Sequence, residues 1–153
     1  MAYRRAFICR NGHVISTSID WSDGSYCTKC GSPILGDCPN CSHHIFWDPY
    51  LEPTHPSSFE RPAYCKFCGK PYPWTAAALE AATHMLKESD LTADDQRKVI
   101  EILPDAISAT PRTQLAALRF QKAMANAGTF VAEGLRQFAI DFGCEFLKKQ
   151  LGL

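Results

Sequence analysis

Eight side chains that bind soft metal ions lie within the first 68 residues of the chain. Seven are cysteines and one is a histidine: Cys9, His13, Cys27, Cys30, Cys38, Cys41, Cys65 and Cys68. Six of the cysteines form three Cys-x-x-Cys pairs, a spacing that lets both sulfurs of one tight turn reach the same ion. Because structural Zn²⁺ takes four thiolate or imidazole ligands, this set predicts two tetrahedral zinc sites and two Zn²⁺ per chain.

The competing interpretations of these cysteines are disulfides and redox dithiols. Residues 1–8 lack the apolar stretch of a secretory signal peptide, which disfavours a secreted disulfide scaffold. A redox Cys-x-x-Cys would lie beside a βαβ unit, whereas short loops separate these pairs. Two pairs are followed by glycine, Gly31 and Gly69, which can adopt the positive φ of a metal-binding turn. The sequence therefore favours zinc and, with it, a reducing, cytoplasmic setting.

Loop lengths bear on which ligands share an ion. The sequential grouping joins the Cys9/His13 couple to the next cysteine pair across 13 intervening residues, and joins the last two pairs to each other across 23. Both gaps suit a β-hairpin ribbon, so we favour this grouping, with an interleaved, cross-braced grouping as the alternative. The Cys9/His13 couple has a three-residue spacer, and a strand cysteine beside an ordinary surface histidine is its other interpretation.

The charge balance disfavours nucleic acid as the main ligand. Residues 1–75 carry seven Lys and Arg and six Asp and Glu. Each Zn²⁺ adds two positive charges and each ligand thiolate removes one, so the metallated region carries about −2. Since non-specific nucleic-acid binding depends on Lys and Arg contacts to phosphate, a nucleic-acid-binding zinc ribbon is an alternative function, with Arg4, Arg5 and Arg10 as its local basic patch.

The motifs do not predict an enzyme. Two four-ligand zinc sites would be closed, whereas catalytic zinc keeps one position open for water. His43, His44 and His55 lie near the second predicted site, where we expect surface or outer-sphere histidines more than ligands. No Ser/His/Asp set, phosphate loop or paired-carboxylate motif stands out in the sequence, so we assign no catalytic residue.

An aromatic and proline-rich loop between the second and third cysteine pairs is a candidate partner-binding surface. Its large aromatic residues are Trp47, Tyr50 and Phe59. Binding residues are often carried on loops that a rigid scaffold positions, so these three are our candidates for contact with a protein partner. The alternative is that they pack on the metal-binding turns as a small core.

The rest of the chain reads as short strands followed by helices. We expect strands at residues 4–8, 14–19 and 33–35. Three helix starts are expected at Thr75, at Thr92 and at Thr110-Pro111, with the first helix running to about Glu88 and the second ending at Leu103 before Pro104. No run approaches the ~18 apolar residues of a membrane span, so we predict a soluble protein without a transmembrane segment.

Apolar residues recur at helical spacing through the C-terminal third. The main stripe is Phe120, Met124, Ala127, Val131, Leu135, Phe138, Phe142 and Phe146, and a second is Ile140, Cys144, Leu147 and Leu151. One helix over residues 111–151, or an αα-hairpin broken at Gly128, would both fit. The simplest interpretation is that the stripe forms the core of a helical region. A more specific interpretation is that it forms the interface of a homo-oligomer, most simply a dimer, with Phe138 and Phe142 at that interface.

Several stretches carry a resemblance to a known family: residues 8–15, 27–31, 38–41 and 63–75, with Leu103-Pro104-Asp105 and Thr110-Pro111-Arg112-Thr113. The chain resembles a bacterial family of double zinc ribbon proteins classed only as a domain of unknown function. The match spans most of the chain, and the block from Gly69 to Thr75 is its most specific part. The resemblance implies zinc and a bacterial cytosolic setting, but no activity. Its members resemble proteins of mobile or defence-related gene neighbourhoods, which makes a role in bacterial defence one expectation.

Together these observations predict an α+β protein, with tandem zinc ribbons over residues 1–73 and an α-helical region over residues 74–153. The leading function is a non-enzymatic interaction or adaptor protein that self-associates through its C-terminal helices. The alternatives are a nucleic-acid-binding zinc ribbon and an effector that acts on membranes through the C-terminal amphipathic helix. Interfacial helices usually carry a basic polar face, whereas the segment from Thr129 has three acidic and three basic residues, which disfavours the membrane role.

Overall fold

The computed structural model describes residues 4–16, 25–47 and 60–153. The chain divides into two compact units, Met1–Ala76 and Ala77–Leu153. The first unit holds two small antiparallel sheets and the cysteine clusters, and the second is helical. The predicted α+β class is therefore confirmed.

Five short strands lie in the described part of the first unit: β1 (Arg4–Arg5), β2 (Phe7–Cys9), β3 (Val14–Ser16), β4 (Ile34–Leu35) and β5 (Phe46–Trp47). They form a three-stranded sheet of order β3-β2-β4 and a two-stranded sheet of β1 and β5, with antiparallel pairing throughout. The expected strand over residues 4–8 is thus two strands. The Ala6 N–H still donates to the Ile45 carbonyl at 2.7 Å, but the Ile45 N–H donates to the Gly36 carbonyl at 2.9 Å, and the chain pairs with β3 and β4 from Phe7 onwards. Residues 17–19 of the second expected strand lie outside the described residues.

The described residues contain five helices: α1 (Pro73–Lys87), α2 (Ala93–Ile107), α3 (Thr113–Asn126), α4 (Thr129–Phe142) and α5 (Glu145–Leu151). The predicted cap of α2 is confirmed, since the Thr92 hydroxyl accepts the Asp95 N–H at 3.2 Å. The predicted cap of α1 is wrong. That helix begins at Pro73, and the Thr75 hydroxyl donates instead to the Ala63 carbonyl.

The predicted end of α2 before Pro104 is also wrong, because the helix continues to Ile107 with the proline inside it. Pro104 removes one backbone hydrogen bond, normally a helix-breaking change. The residues beyond it, Ala106 and Ile107, are buried in the helical unit, and this burial favours the extra turn. α3 begins at Thr113, two residues later than the proline at position 111 predicts.

The C-terminal third forms three helices, α3, α4 and α5, and therefore differs both from the single helix and from the αα-hairpin that the sequence suggested. The first break is at Gly128, whose φ of 91° only glycine adopts readily. The second is at Gly143 and Cys144, where the Cys144 N–H leaves the helical ladder and donates to the Ala106 carbonyl at 3.0 Å. The apolar stripe runs across both breaks, so its period alone does not reveal them.

The core of the helical unit takes most of the main stripe. Its fully buried large side chains include Phe120, Leu135, Leu147, Ile102 and Leu103. Phe138 is only 7% exposed, and its ring stacks on that of Phe120 with centroids 6.0 Å apart. We therefore place Phe138 in the interior of its own unit. Over the described ranges, no helix combines the length and apolar character needed to cross a membrane.

Candidate metal centres

Each metal-binding turn is closed by a β-type pairing of the residues that flank it. In the three Cys-x-x-Cys turns the residue before the first cysteine pairs with the residue six positions after that cysteine: Tyr26 with Pro33, Asp37 with His44, and Tyr64 with Pro71. In the first turn Ile8 pairs with Val14, which closes a loop one residue shorter around Cys9 and His13. Four equivalent miniature hairpins thus present the eight predicted ligands.

The backbone inside each Cys-x-x-Cys turn follows one pattern. The carbonyl of the first cysteine accepts the N–H four residues later at 2.8 Å, at Gly31, Ser42 and Gly69. These three residues have φ values of 72°, 64° and 73°, and Gly12 has 93° in the first turn. Left-handed backbone lets both cysteines of a turn face the same point, so the sequence prediction for Gly31 and Gly69 is confirmed. Ser42 is the exception in residue type but not in conformation.

The first cluster brings together Cys9, His13, Cys27 and Cys30. The Cys9 sulfur lies 3.5 Å from His13 Nδ1 and 3.7 Å from the Cys30 sulfur, and the Cys27 sulfur lies 3.7 Å from the same imidazole nitrogen. A tetrahedral zinc about 2.3 Å from sulfur and about 2.1 Å from nitrogen requires separations of roughly 3.6–3.8 Å. The four atoms therefore fit one ion.

The second cluster brings together Cys38, Cys41, Cys65 and Cys68. The sulfurs of Cys38 and Cys68 are 3.8 Å apart, and those of Cys41 and Cys65 are 3.6 Å apart. These distances again match the edge of a tetrahedron of zinc-bound sulfurs and exceed the roughly 2.05 Å of a disulfide bond. All eight cysteines of the chain are free thiols. The structure thus contains two clusters of four ligands that could hold metal ions, grouped sequentially.

Local hydrogen bonds favour thiolates, the form that binds metal. The side chain and backbone of Ser32 lower the pKa of Cys30 to about 5. Burial works to raise the pKa of Cys65, but hydrogen bonds from the backbone of Cys68 and Phe67 outweigh it and lower that pKa to about 6. Two other ligands shift the opposite way. Burial raises the pKa of Cys9, and at Cys41 a backbone hydrogen bond from His43 is outweighed by burial and by the neighbouring thiols, which raise the pKa to about 12. A divalent cation at the centre of each cluster would offset that cost.

An arginine–aspartate–histidine chain attaches the third turn to the sheets. Arg5 donates from Nη2 to Asp37 Oδ2 at 2.8 Å and from Nε to the Gly36 carbonyl at 3.2 Å. The other Asp37 oxygen pairs with His44 Nδ1 at 2.5 Å. Gly36 makes room for the Arg5 guanidinium, because a Cβ at this position would lie 2.6 Å from Arg5 Nε. Arg5 is therefore engaged both by a carboxylate and by a backbone carbonyl.

The block from Gly69 to Thr75 fastens the fourth turn to the rest of the unit. Trp74 is 1% exposed, its ring stacks on Tyr72 at 4.7 Å, and its Nε1–H donates to the Pro62 carbonyl at 2.8 Å. A Cβ at Gly12 would lie 3.0 Å from Trp74 Cβ, so the first turn also packs on this tryptophan. Trp74 thus packs against turns of both clusters.

Aromatic rings gather beside the second cluster, and among them Phe67 was not singled out by the sequence analysis. The rings of His43 and Phe67 stack with centroids 4.1 Å apart, Phe46 lies 5.6 Å from Phe67, and the Lys66 ammonium lies 4.4 Å from the Phe46 centroid. His43 Nδ1 also lies 3.4 Å from the Cys41 sulfur, the outer-sphere role expected of it. Phe67 is 47% exposed although it stands between two ligands. The signal available was its position at the tip of a Cys-x-x-Cys turn.

The residues predicted to bind partners have mixed placements. Trp47 lies in β5 opposite Arg4, and its side chain is outside the described part of the structure. Tyr50, Phe59 and His55 also lie outside the described residues. Phe142 is partly exposed at the end of α4.

Comparison with known proteins yields a family and no functional relative. No curated protein and no solved structure matches the chain. A family model described as "Uncharacterized protein conserved in bacteria (DUF2321)" matches residues 2–151, and the chain therefore belongs to this bacterial family of unknown function, as its motifs indicate.

Proposed function

We propose that this protein is a non-enzymatic bacterial adaptor whose N-terminal unit is a recognition module stabilised by two Zn²⁺ ions. The observation that carries the proposal is the pair of four-ligand clusters with tetrahedral spacing. Cysteine and histidine ligands in this number and spacing suit Zn²⁺ among the common divalent metals. The bound ions would supply folding free energy, which a unit with so few strand residues needs.

The completeness of the clusters supports a structural role over a catalytic one. Catalytic zinc has three protein ligands and an open position for water, whereas each cluster offers four ligands from its own side chains. His43 contacts a ligand sulfur and His44 contacts Asp37, so neither needs a catalytic explanation. We propose no enzymatic activity.

The recognition face is the exposed aromatic cluster, by which we mean His43, Phe46, Lys66 and Phe67. Aromatic residues in interfaces contribute large contact areas at a low entropic cost, and a rigid metal-binding turn holds Phe67 in place. The nearby loop residues Trp47, Tyr50 and Phe59 remain candidates for the same face. A protein ligand is favoured over nucleic acid because the metallated unit carries about −2 and Arg5 is engaged by Asp37.

Self-association is assigned to the outward side of α4. Phe130 is 88% exposed and Ile140 is 41% exposed on this helix. The exposed Glu133 and Arg136 between them are of opposite charge, so two antiparallel copies of α4 could pair them across a two-fold axis. This seam replaces the buried Phe138 as the centre of the proposed homodimer.

The recognition face can be tested by capture from the native host with zinc-loaded protein. Phe67→Ala should remove specific partners, whereas the control Tyr26→Ala, at an aromatic residue 65% exposed beside the first cluster, should retain them. Identical captures from wild type and Phe67→Ala would contradict the proposed face. Tight salt-dependent binding to DNA or RNA would support the nucleic-acid alternative instead.

The assembly role has a separate test. Light scattering at tens of micromolar should give a dimer mass for wild type and a monomer mass for the double change Phe130→Gln and Ile140→Gln. Leu118→Gln on α3 is the matched control and should remain dimeric. A monomeric wild-type protein would refute self-association.

A further inference from the structure

The outward side of α3 carries an apolar ridge between two grooves. The ridge is formed by Leu115 and Leu118, which are 39% and 49% exposed. A groove of 380 Å³ on one side is lined by Phe146 and Gln150 of α5 together with residues of α3. A groove of 320 Å³ on the other side is lined by Leu91 and by residues of α2 and α3. We call the ridge and its two grooves the α3 face.

The charged residues of the α3 face are mostly basic. Lys98, Arg119 and Lys122 line the groove between α2 and α3, against one acidic residue, Asp95. The other groove is lined by apolar residues and glutamines. α3 itself contains Arg119 and Lys122 and no Asp or Glu. Lys98 also pairs with Asp94 at 3.0 Å, so the two basic residues of α3 dominate the rim.

The position of Arg119 is fixed by the backbone. Its Nη1 donates to the Lys98 carbonyl at 3.2 Å, which places the guanidinium along the groove between α2 and α3. A second copy docked ridge to ridge would bring the Arg119 and Lys122 pairs of both chains together. Like charges facing each other destabilise an interface, so charge disfavours a second copy as the occupant.

We propose that the α3 face binds an amphipathic helix of a partner protein, with an apolar stripe flanked by acidic residues. Apolar residues at i, i+3 or i+4, and i+7 of that helix would straddle the Leu115–Leu118 ridge, as in helix-in-groove recognition. Asp or Glu on its edge would meet Arg119 and Lys122. The inference rests on the proposed adaptor function and supplies a second partner site, separate from the aromatic cluster and from the α4 seam.

The test is selection of helical peptides from a displayed random library against full-length, zinc-loaded protein. Peptides that bind wild type and are lost on Leu118→Gln should share the helical apolar spacing and flanking Asp or Glu. Basic or neutral flanks, or no peptide that separates the two proteins, would overturn the inference. Leu118 is half exposed, so its change should leave the helical circular dichroism intact.

Charge is tested on a selected peptide by fluorescence anisotropy. Leu118→Gln and the double change Arg119→Glu and Lys122→Glu should each weaken binding about tenfold or more, as expected of interface hot spots. Lys87→Glu on α1 is the control and should leave the affinity within about twofold. Unchanged affinity in the charge-reversed protein would overturn the acidic partner.

The outcomes separate this inference from the proposed function. If Leu118→Gln converts a wild-type dimer to a monomer, the α3 face covers a second copy and the inference is wrong. If no peptide is selected while zinc loading, Phe67-dependent capture and dimerisation through α4 all hold, only the α3 face has to be given up.

Discussion

Ser42→Gly should stabilise the second metal centre, because Ser42 has the left-handed backbone that glycine supplies in the other turns. Its φ is 64°, against 72° for Gly31 and 73° for Gly69 at the equivalent positions. Left-handed backbone costs a residue with a Cβ about 1–2 kcal/mol. Changing the serine to glycine removes this cost. It also raises the conformational entropy of the unfolded chain, which destabilises the folded state by about 0.5–1 kcal/mol.

The net stabilisation of Ser42→Gly is therefore about 0.5–1 kcal/mol. Among the described residues nothing lies within 4 Å of a Cβ built at Gly31 or Gly69, so the reverse changes are dominated by backbone strain. Gly69→Ser should destabilise the same centre by a similar amount. Expressed as apparent zinc affinity, these energies correspond to factors of roughly two to five.

Competition with a chromophoric zinc chelator measures both effects in one assay. The apparent zinc affinity of the second cluster should rise for Ser42→Gly and fall for Gly69→Ser. Gly152→Ser is the control, because Gly152 has a φ of 71° at the end of α5 and is not in a metal-binding turn. Reduced affinity in Ser42→Gly would refute the reasoning and assign a stabilising contact to the serine hydroxyl.

Two further substitutions and a pH titration test other parts of the structure. Thr92→Ala removes the α2 cap and should cost about 1 kcal/mol in urea unfolding of the helical unit; no loss would contradict the cap. Trp74→Phe leaves the Pro62 carbonyl without its donor and should cost about 2 kcal/mol, whereas an unchanged thermal midpoint would contradict the contact. Since the pKa of Cys30 is lowered from 9.0 to about 5, the stabilising preference for its thiolate is present above pH 9 and lost as the pH falls towards 5. We therefore expect the protein to keep its zinc at neutral pH and to release it as the pH falls to about 5, with a chelator used to detect the released ion. Complete release already at neutral pH would refute this.

The ligand set could be predicted from sequence because its chemistry is local. A Cys-x-x-Cys turn fixes two ligands within four residues, and only the grouping of turns depends on longer loops. The connection of Arg5 to Asp37 could not be predicted in the same way, because it joins residues 32 positions apart in chain order. The stacking of His43 on Phe67 depends likewise on two separate turns meeting around one cluster.

The helical unit was predicted less well because periodicity does not mark chain reversals. The residues on both sides of Gly128 and of Gly143 keep helical spacing, yet the chain leaves the helix at each. At Pro104 the error was the opposite one: an end of α2 was predicted where the helix continues. Burial of the following turn outweighs the lost hydrogen bond. Placing Phe138 at an interface failed for the same reason, because its neighbour Phe120 belongs to another helix.

The central claim, two closed zinc sites, is tested most directly by X-ray absorption at the zinc edge on the protein as purified. Seven cysteines and one histidine over two ions predict an average shell of about three and a half sulfurs near 2.3 Å and half a nitrogen near 2.1 Å, with no water oxygen. An oxygen ligand, or a shell with markedly fewer sulfurs, would mean that a site is open or that a predicted ligand is unused. Either result would contradict the structural role assigned to both centres.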